Sequence, residues 1–179
     1  MAWHARGAGD TLRRAGRFFA PEPNDQLHAG DHAYVVAAVE DVARTLDIFG
    51  LPSRPVERVV LIGGGNIGLA VARALDARPG ISLKLIERDR DRAEAAAEAL
   101  RRTVVLHGDG MAADLMAEAG VPRADAVLTL TADDRTNLLA AVRAKQAGAR
   151  MVDALINDTT LMPLAANLGI DGLISPRAV

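Results

Sequence analysis

Short apolar runs alternate with amphipathic stretches along the chain, and the alternation becomes regular from residue 58 onward. Six runs rich in β-branched and other apolar residues predict strands: "RVVLIG", "SLKLIE", "TVVLHG", "AVLTL", "RMVDALI" and "GLIS". Five stretches between them have helical spacing: "NIGLAVARALDA", "RDRAEAAAEALRR", "MAADLMAEAG", "TNLLAAVRAKQAG" and "TTLMPLAANLG". Apolar strands that alternate with helices predict an α/β fold, a doubly wound parallel sheet of the Rossmann type with both faces covered.

Residues 1–50 do not share this rhythm. From Leu12 the pattern predicts a short strand, a turn at "PEPNDQ", a strand at "DHAYVVA" and a brief helix at "EDVARTLDIF". These elements are too few for an independent core, so we expect a small, incomplete α+β fragment before the parallel sheet. Two prolines in residues 51–57 predict a linker, and the parallel-sheet domain then spans residues 58–179.

Composition narrows the class of protein. Half of the 179 residues are hydrophobic, which is enough to bury a core, and the net charge of -2 with scattered arginines argues against a nucleic-acid partner. The absence of cysteine excludes disulfides, thiolate zinc sites and a cysteine nucleophile. Because we find neither an apolar run of about 18 residues nor a signal peptide, we expect a cytoplasmic protein without membrane insertion.

A G-x-G-x-x-G frame in "VVLIGGGNIGLAVARAL", residues 59–75, lies between the first strand and the first helix of the parallel-sheet region. Gly63 would allow a tight turn, Gly65 would let the backbone approach a pyrophosphate, and Gly68 would permit close packing of helix on strand. The phosphates would rest on the amides at the start of the helix. The frame therefore predicts nucleotide binding, and the alternative is a plain glycine-rich turn.

Glu87 ends the second predicted strand, about 20 residues after the glycine frame, where a carboxylate can accept hydrogen bonds from both ribose hydroxyls. It would repel a 2'-phosphate, which disfavours NADP. NAD and ATP share the same adenosine ribose, so Glu87 does not indicate which of the two binds. The alternative is a solvated glutamate that pairs with Arg88 or Arg90.

Two further polar residues follow predicted strands. Asp109 in "LHGDG" could face the adenine edge, and the alternative is that it caps the following helix. Thr131 in "TLTADD" lies near the expected phosphate position, and the alternative is a T-x-x-D capping pattern with Asp134. All these side chains would meet at the carboxyl edge of the sheet.

No residue of the parallel-sheet region is placed for catalysis. A dehydrogenase needs a general acid or base beside the nicotinamide, yet His107 would lie at the adenosine end, and Lys84 and Lys145 are expected to be solvated. We therefore expect no catalytic residue, no metal site and no enzymatic activity. Two alternatives stay open: a fragment of an NAD-dependent oxidoreductase, and an assembly module that binds no nucleotide.

Five motifs in order carry a family resemblance: "VVLIGGGNIGLAVARAL", "LIERDRDRAE", "HGDG", "LTLTADDRTNLLAAVRAKQAGA" and "LGIDGLISP". Together they resemble the nucleotide-binding module of the RCK or KTN class, the regulators of potassium channels and transporters. The most specific feature is the D-x-x-N of Asp134 and Asn137, followed by Ala144, Lys145 and Gly148. The resemblance covers nearly all of the parallel-sheet region.

The front of the chain, "RRAGRFFAPEPNDQLHAGDHAYVVA", resembles the end of the C-terminal ligand-binding module of the same class. The resemblance thus assigns residues 1–50 to the C-terminal part of an RCK-C module and residues 58–179 to an RCK-N module. An RCK-C module before an RCK-N module implies a tandem protein, so we expect a fragment that includes the second RCK-N module. Where many members carry an arginine on the fifth strand, this chain has Leu155.

The resemblance implies a regulatory subunit that binds NAD(H), or alternatively ATP/ADP, and forms a homo-oligomer, either a dimer or a tetrameric ring. It also implies a membrane potassium-translocating subunit of the TrkH or TrkG type as partner, with the chain in the cytoplasm, peripheral at the inner face of the cell membrane. The expected cofactor-binding residues are Gly63, Gly64, Gly65, Asn66, Ile67 and Gly68 for phosphate, Glu87 with Arg88 beside it for ribose, Asp109 for adenine, and Leu130 with Thr131 for the phosphate or nicotinamide side.

Overall fold

The chain divides into two compact units, Met1–Pro55 and Val56–Val179, in a computed structural model. The boundary between them falls inside the segment 51–57 that the sequence predicts as a linker. The structure describes residues 11–22, 24–51, 55–158 and 160–175.

The first unit holds a three-stranded antiparallel sheet in the order β2-β1-β3. Its elements are β1 (Thr11–Arg14), β2 (Arg17–Phe19), β3 (His32–Tyr34), a 3-10 turn (Val39–Asp41) and α1 (Val42–Ile48). The single strand predicted from Leu12 is in fact a hairpin, because Ala15 and Gly16 both take positive φ and reverse the chain. The strand predicted at "DHAYVVA" covers only three residues.

An ion pair fixes the loop that leads into β3. The Arg14 guanidinium lies 2.7 Å from the Asp31 carboxylate, and the same carboxylate accepts a hydrogen bond from the His28 amide. These two contacts, the arginine first, lower the pKa of Asp31 to about 2. Arg14 also donates to the Gln26 carbonyl, so one side chain holds several points of the turn.

The second unit is a six-stranded parallel sheet in the order β6-β5-β4-β7-β8-β9. Its elements are β4 (Arg58–Ile62), α2 (Asn66–Asp76), β5 (Ser82–Glu87), α3 (Arg90–Ala99), β6 (Val104–His107), α4 (Ala113–Ala119), a 3-10 turn (Val121–Arg123), β7 (Ala126–Thr129), α5 (Asp134–Gln146), β8 (Met151–Leu155), α6 (Met162–Asn167) and β9 (Gly172–Ile174). The doubly wound α/β fold is confirmed, with a small antiparallel sheet before it. The strand order reverses between β4 and β7, the point at which such sheets open a crevice.

Both faces of the parallel sheet are covered, as the apolar strands predict. Val60 and Ile62 point to one face, where they join a core built with α4 and α5, and Val59 and Leu61 point to the other, where α2 and α3 pack. Alanines such as Ala72 of α2 let the helices lie close to the strands. Within the described ranges, no helix is long and apolar enough to cross a membrane.

Asp76, the last residue of α2, holds the loop that enters β6. Its carboxylate accepts hydrogen bonds from the amides of Arg101 and Arg102 and, at 2.7 Å, from the Thr103 hydroxyl. These bonds, led by that of Thr103, lower the pKa of Asp76 to about 2. The loop position therefore depends on an ionised carboxylate.

We expect Asp76→Ala to lower the melting temperature at neutral pH, and we expect this deficit to shrink in acid. Because the folded pKa of Asp76 lies below its ordinary value of 3.8, its contribution is present above that value and is lost as the pH falls toward about 2. Thermal unfolding of both proteins from pH 7 to pH 2 measures the difference. Glu98→Ala, on the exposed face of α3, is the control, and a deficit of Asp76→Ala that is constant over this range would contradict the linkage.

Candidate functional site

Two glycines of the turn between β4 and α2, Gly63 and Gly68, have no room for a side chain. A Cβ at Gly63, whose φ is +106°, would lie 2.8 Å from the Thr131 amide nitrogen, and one at Gly68 would lie 1.9 Å from the Gly63 carbonyl oxygen. The roles predicted for these glycines, a tight turn and close helix packing, are confirmed. A Cβ at Gly65 would meet nothing within 4 Å, so its backbone faces open space.

Glu87 reaches back to this turn from the end of β5. Its Oε2 accepts a hydrogen bond from the Gly64 amide at 2.5 Å, its Oε1 accepts one from the Asp89 amide at 2.8 Å, and the residue is only 7% exposed. The alternative of a solvated glutamate paired with an arginine is therefore wrong, and Arg90 pairs with Glu94 instead. An ionised carboxylate offers about four acceptor positions, so Glu87 keeps acceptor capacity for a ligand.

Asp109 forms a tight turn after β6. Its Oδ1 accepts a hydrogen bond from the Met111 amide two residues on, and α4 begins only at Ala113 with Ala112 as its capping residue. The alternative in which Asp109 caps α4 is wrong, because the turn places Ala112, and not Asp109, at the capping position. Asp109 lines the crevice instead.

Asp133, and not Thr131, caps α5. The Asp133 carboxylate accepts hydrogen bonds from the amide of Thr136 at 2.7 Å and from its hydroxyl at 2.6 Å, and these bonds lower the pKa of Asp133. The T-x-x-D capping pattern predicted from Thr131 is wrong, since the helix begins at Asp134, one residue after its true cap. Thr131 makes a different set of bonds.

Asn137 is fully buried at the start of α5 and joins two strand ends. Its Oδ1 accepts hydrogen bonds from the amide and the hydroxyl of Thr131, at 2.8 and 2.7 Å. Its Nδ2 donates to the carbonyl of Thr131 and to that of Leu155 at the end of β8. One amide side chain thus fixes the loops after β7 and β8 relative to each other.

Asp134 completes the D-x-x-N motif from the other side of the β8 loop. Its carboxylate accepts hydrogen bonds from the amides of Asn157 and Asp158, at 2.8 and 2.7 Å. Asn137 therefore joins the loop after β7 to the end of β8, and Asp134 holds the loop that follows β8. The D-x-x-N spacing, which is the most specific feature of the sequence, therefore serves to hold these loops in place.

Two cavities lie along the carboxyl ends of the strands. The first cavity, about 400 Å³, opens above β4, β5 and β6, and the second, about 510 Å³, opens above α2 and the ends of β7 and β8. They share Gly65, Arg92, Thr131 and Ala132, which form the border between them. The two cavities are thus adjacent parts of one cleft at the switch point of the sheet.

Nearly all of the predicted site residues line this cleft. Those in the first cavity are Gly63, Gly65, Glu87, Arg88, Asp109 and Thr131, and those in the second are Gly64, Gly65, Asn66, Ile67, Leu130 and Thr131. Gly68 lines neither cavity, because it packs beneath the turn against Gly63.

Several lining residues are not predicted from the sequence. Arg92, in the first turn of α3, lines both cavities, and Asn157 and Leu155 line the second. A Cβ at Gly110 would lie 2.4 Å from Cγ2 of Ile62, so the turn after β6 packs on β4. The signal for Arg92 is its position in the first turn of the helix that follows β5, because such a helix begins at the carboxyl edge of the sheet.

His107 is exposed, and its Nε2 lies 3.1 Å from the Arg88 carbonyl oxygen, which links the ends of β5 and β6. Lys145 is not simply solvated as expected, because its ammonium lies 2.9 Å from the Asp171 carboxylate. No group of three or more possible metal-ligating side chains occurs in the part of the chain that the structure describes.

The sequence matches the TrkA-N domain model over residues 59–176. It is 44% identical over 169 residues to the Trk system potassium uptake protein TrkA of Azorhizobium caulinodans, covering 94% of this chain and 37% of that protein. The chain thus spans little more than a third of this relative.

Solved structures of similar fold include nucleotide complexes. The GsuK channel bound to NAD aligns with a TM-score of 0.58 at 17% identity over 70% of this chain and 22% of that chain. GsuK bound to ADP aligns with a TM-score of 0.56 at 27% identity over 66% of this chain and 30% of that chain.

Replacing the buried Asn137 should destabilise the second unit. Asn137→Ala leaves the amide of Thr131 and two carbonyls without their partners, so we expect a loss of about 2 to 4 kcal/mol in the free energy of unfolding. Urea denaturation measures it. Leu139→Ala, at the 56% exposed leucine two residues on, is the control and should cost about 0.5 kcal/mol or less. Equal losses in the two variants would show that the amide network contributes nothing.

Proposed function

The chain belongs to the TrkA-N domain family, and from that premise we propose that it is a regulatory subunit whose cleft binds an adenine nucleotide. The observation that carries the proposal is the buried Glu87 carboxylate, bonded to the Gly64 amide of the glycine turn and lining the first cavity. Glu87 and Gly65 line the same cavity, so in this proposal one nucleotide places its ribose at Glu87 and its phosphates over Gly65.

The adenosine half of the ligand occupies the first cavity in this proposal. Glu87 accepts hydrogen bonds from the ribose hydroxyls through its remaining lone pairs, and Asp109 faces the adenine edge. The phosphates lie over Gly65 and Asn66, because α2 begins there and the helix dipole favours negative charge. Among the described residues no side chain caps α2, and Asn66 and Ile67 of its first turn line the second cavity.

We propose NAD(H) as the ligand, with ATP/ADP as the alternative. Ile67, Leu130 and Leu155 give the second cavity an apolar wall, which suits a flat nicotinamide ring better than a triphosphate. The solved GsuK structures support both, because one is bound to NAD and another to ADP. Glu87 disfavours NADP in either case, because its carboxylate would face the 2'-phosphate.

The nucleotide acts as a signal and undergoes no turnover in this proposal. A relative carries the name of a potassium uptake protein, TrkA, and GsuK is named as a channel. We propose that residues 1–50 are the end of an RCK-C module and that the chain, part of a TrkA-like tandem, forms homo-oligomers. It would control a TrkH/TrkG-like membrane subunit from the cytoplasmic face. Regulation requires that the nucleotide binds two states of the assembly with different affinity.

Thermal titration with NADH, NAD, ATP and ADP tests nucleotide binding. A ligand at 100 times its dissociation constant stabilises the folded state by about 2.7 kcal/mol, so a clear rise in melting temperature is expected with at least one of them. No rise with any of the four would favour the assembly module that binds no nucleotide. Incubation of the chain with NADH and candidate metabolites should leave the NADH absorbance constant, whereas its loss would favour the oxidoreductase.

We expect Glu87→Ala to weaken binding of every adenine nucleotide by about 1.5 to 3 kcal/mol, the range for a hydrogen bond to a charged group. Calorimetric titration of adenosine, ADP and NADH measures the loss, which should be similar for all three because they share the ribose. Glu94→Ala, which removes the carboxylate that pairs with Arg90 outside the cleft, is the matched control. Unchanged affinity in Glu87→Ala would contradict the ribose role.

A further inference from the structure

Positive charge is unevenly distributed around the cleft. The first cavity is lined by four acidic and two basic side chains: Glu87, Asp89, Asp109, Asp133, Arg88 and Arg92. Of the described residues that line the second cavity, Arg92 alone is charged. The acidic side chains therefore repel a ligand with several phosphates across much of the first cavity. Arg92 lies at the border between the two cavities, where its positive charge faces both of them.

Arg92 is anchored through its backbone amide, and its guanidinium stays available to a ligand. The Arg92 amide donates to the Asp89 carboxylate at 3.0 Å, which anchors the residue in the first turn of α3. The guanidinium Nε lies 3.9 Å from the same carboxylate, a loose contact, and the side chain is 58% exposed. Such a fork can form two short hydrogen bonds to phosphate oxygens.

We propose that Arg92 contacts the diphosphate of the bound nucleotide and sets how strongly the cleft discriminates by phosphate number. This inference rests on the proposed function. Gly65 and Thr131 share the border with Arg92, and a Cβ at Gly65 would meet nothing within 4 Å. The start of α2 supplies amides on one side of a diphosphate, and Arg92 supplies a full charge on the other.

Calorimetric titration of adenosine, AMP, ADP and NADH against wild type, Arg92→Gln and Arg92→Lys tests this role. We expect Arg92→Gln to weaken ADP and NADH by about 10- to 100-fold and to leave adenosine within about twofold, since only the phosphates meet the guanidinium. Arg92→Lys should bind ADP and NADH with intermediate affinity, because lysine keeps the charge without the guanidinium fork. The loss for ADP should shrink at high salt.

Arg90→Gln is the matched control. Arg90 lies two residues away on the same helix, is 78% exposed, pairs with Glu94 and lines neither cavity. We expect this variant to bind all four ligands as wild type does. Equal affinity of ADP for Arg92→Gln and wild type would overturn the proposal, and so would an equal loss for adenosine and ADP. If wild type binds none of the four, the proposed function fails and this role fails with it.

Discussion

The loop after β7 and the end of β5 meet at the glycine turn after β4, and the contact distances at Gly63 and Gly68 leave no space for a Cβ. Gly63 touches the loop after β7 through Thr131, Gly64 donates to Glu87 at the end of β5, and Gly68 sets α2 against the carbonyl of Gly63. These contacts set the wall of the cleft that the glycine turn forms with the end of β5 and the loop after β7. A side chain at Gly63 or Gly68 would push α2 away and separate the loops that line the first cavity.

Polar side chains at the start of α5 hold the walls of the cleft. Asn137 binds Thr131 and Leu155, Asp134 binds the loop after β8, and Asp133 caps α5. Because Asn137 is fully buried, its bonds cannot be replaced by water without loss. The start of α5 is therefore rigid, and a nucleotide that contacts Thr131 contacts a residue fixed to two strands.

Local periodicity was sufficient to predict the parallel sheet, and β5 has the predicted bounds because both of its ends carry clear turn signals. The sequence also predicts the glycine frame and Glu87, because the spacing between them is characteristic of a nucleotide-binding α/β fold. The bonds of Glu87 to Gly64 and of Asn137 to Leu155 join residues 23 and 18 positions apart, so no local pattern reveals them. The sequence does not place the cap of α5 correctly, because Thr131 and Asp133 both suit a capping role. In the structure Thr131 bonds to Asn137, and Asp133 is the cap.

In the proposed function, this cleft binds an adenine nucleotide through a free pair of ribose hydroxyls at Glu87. A direct test compares the dissociation constants of NADH and NADPH for the wild-type chain in one buffer, since the two ligands differ only in the 2'-phosphate. We expect NADH to bind at least about tenfold more tightly, because the buried carboxylate repels the added phosphate. Equal or tighter binding of NADPH would contradict it.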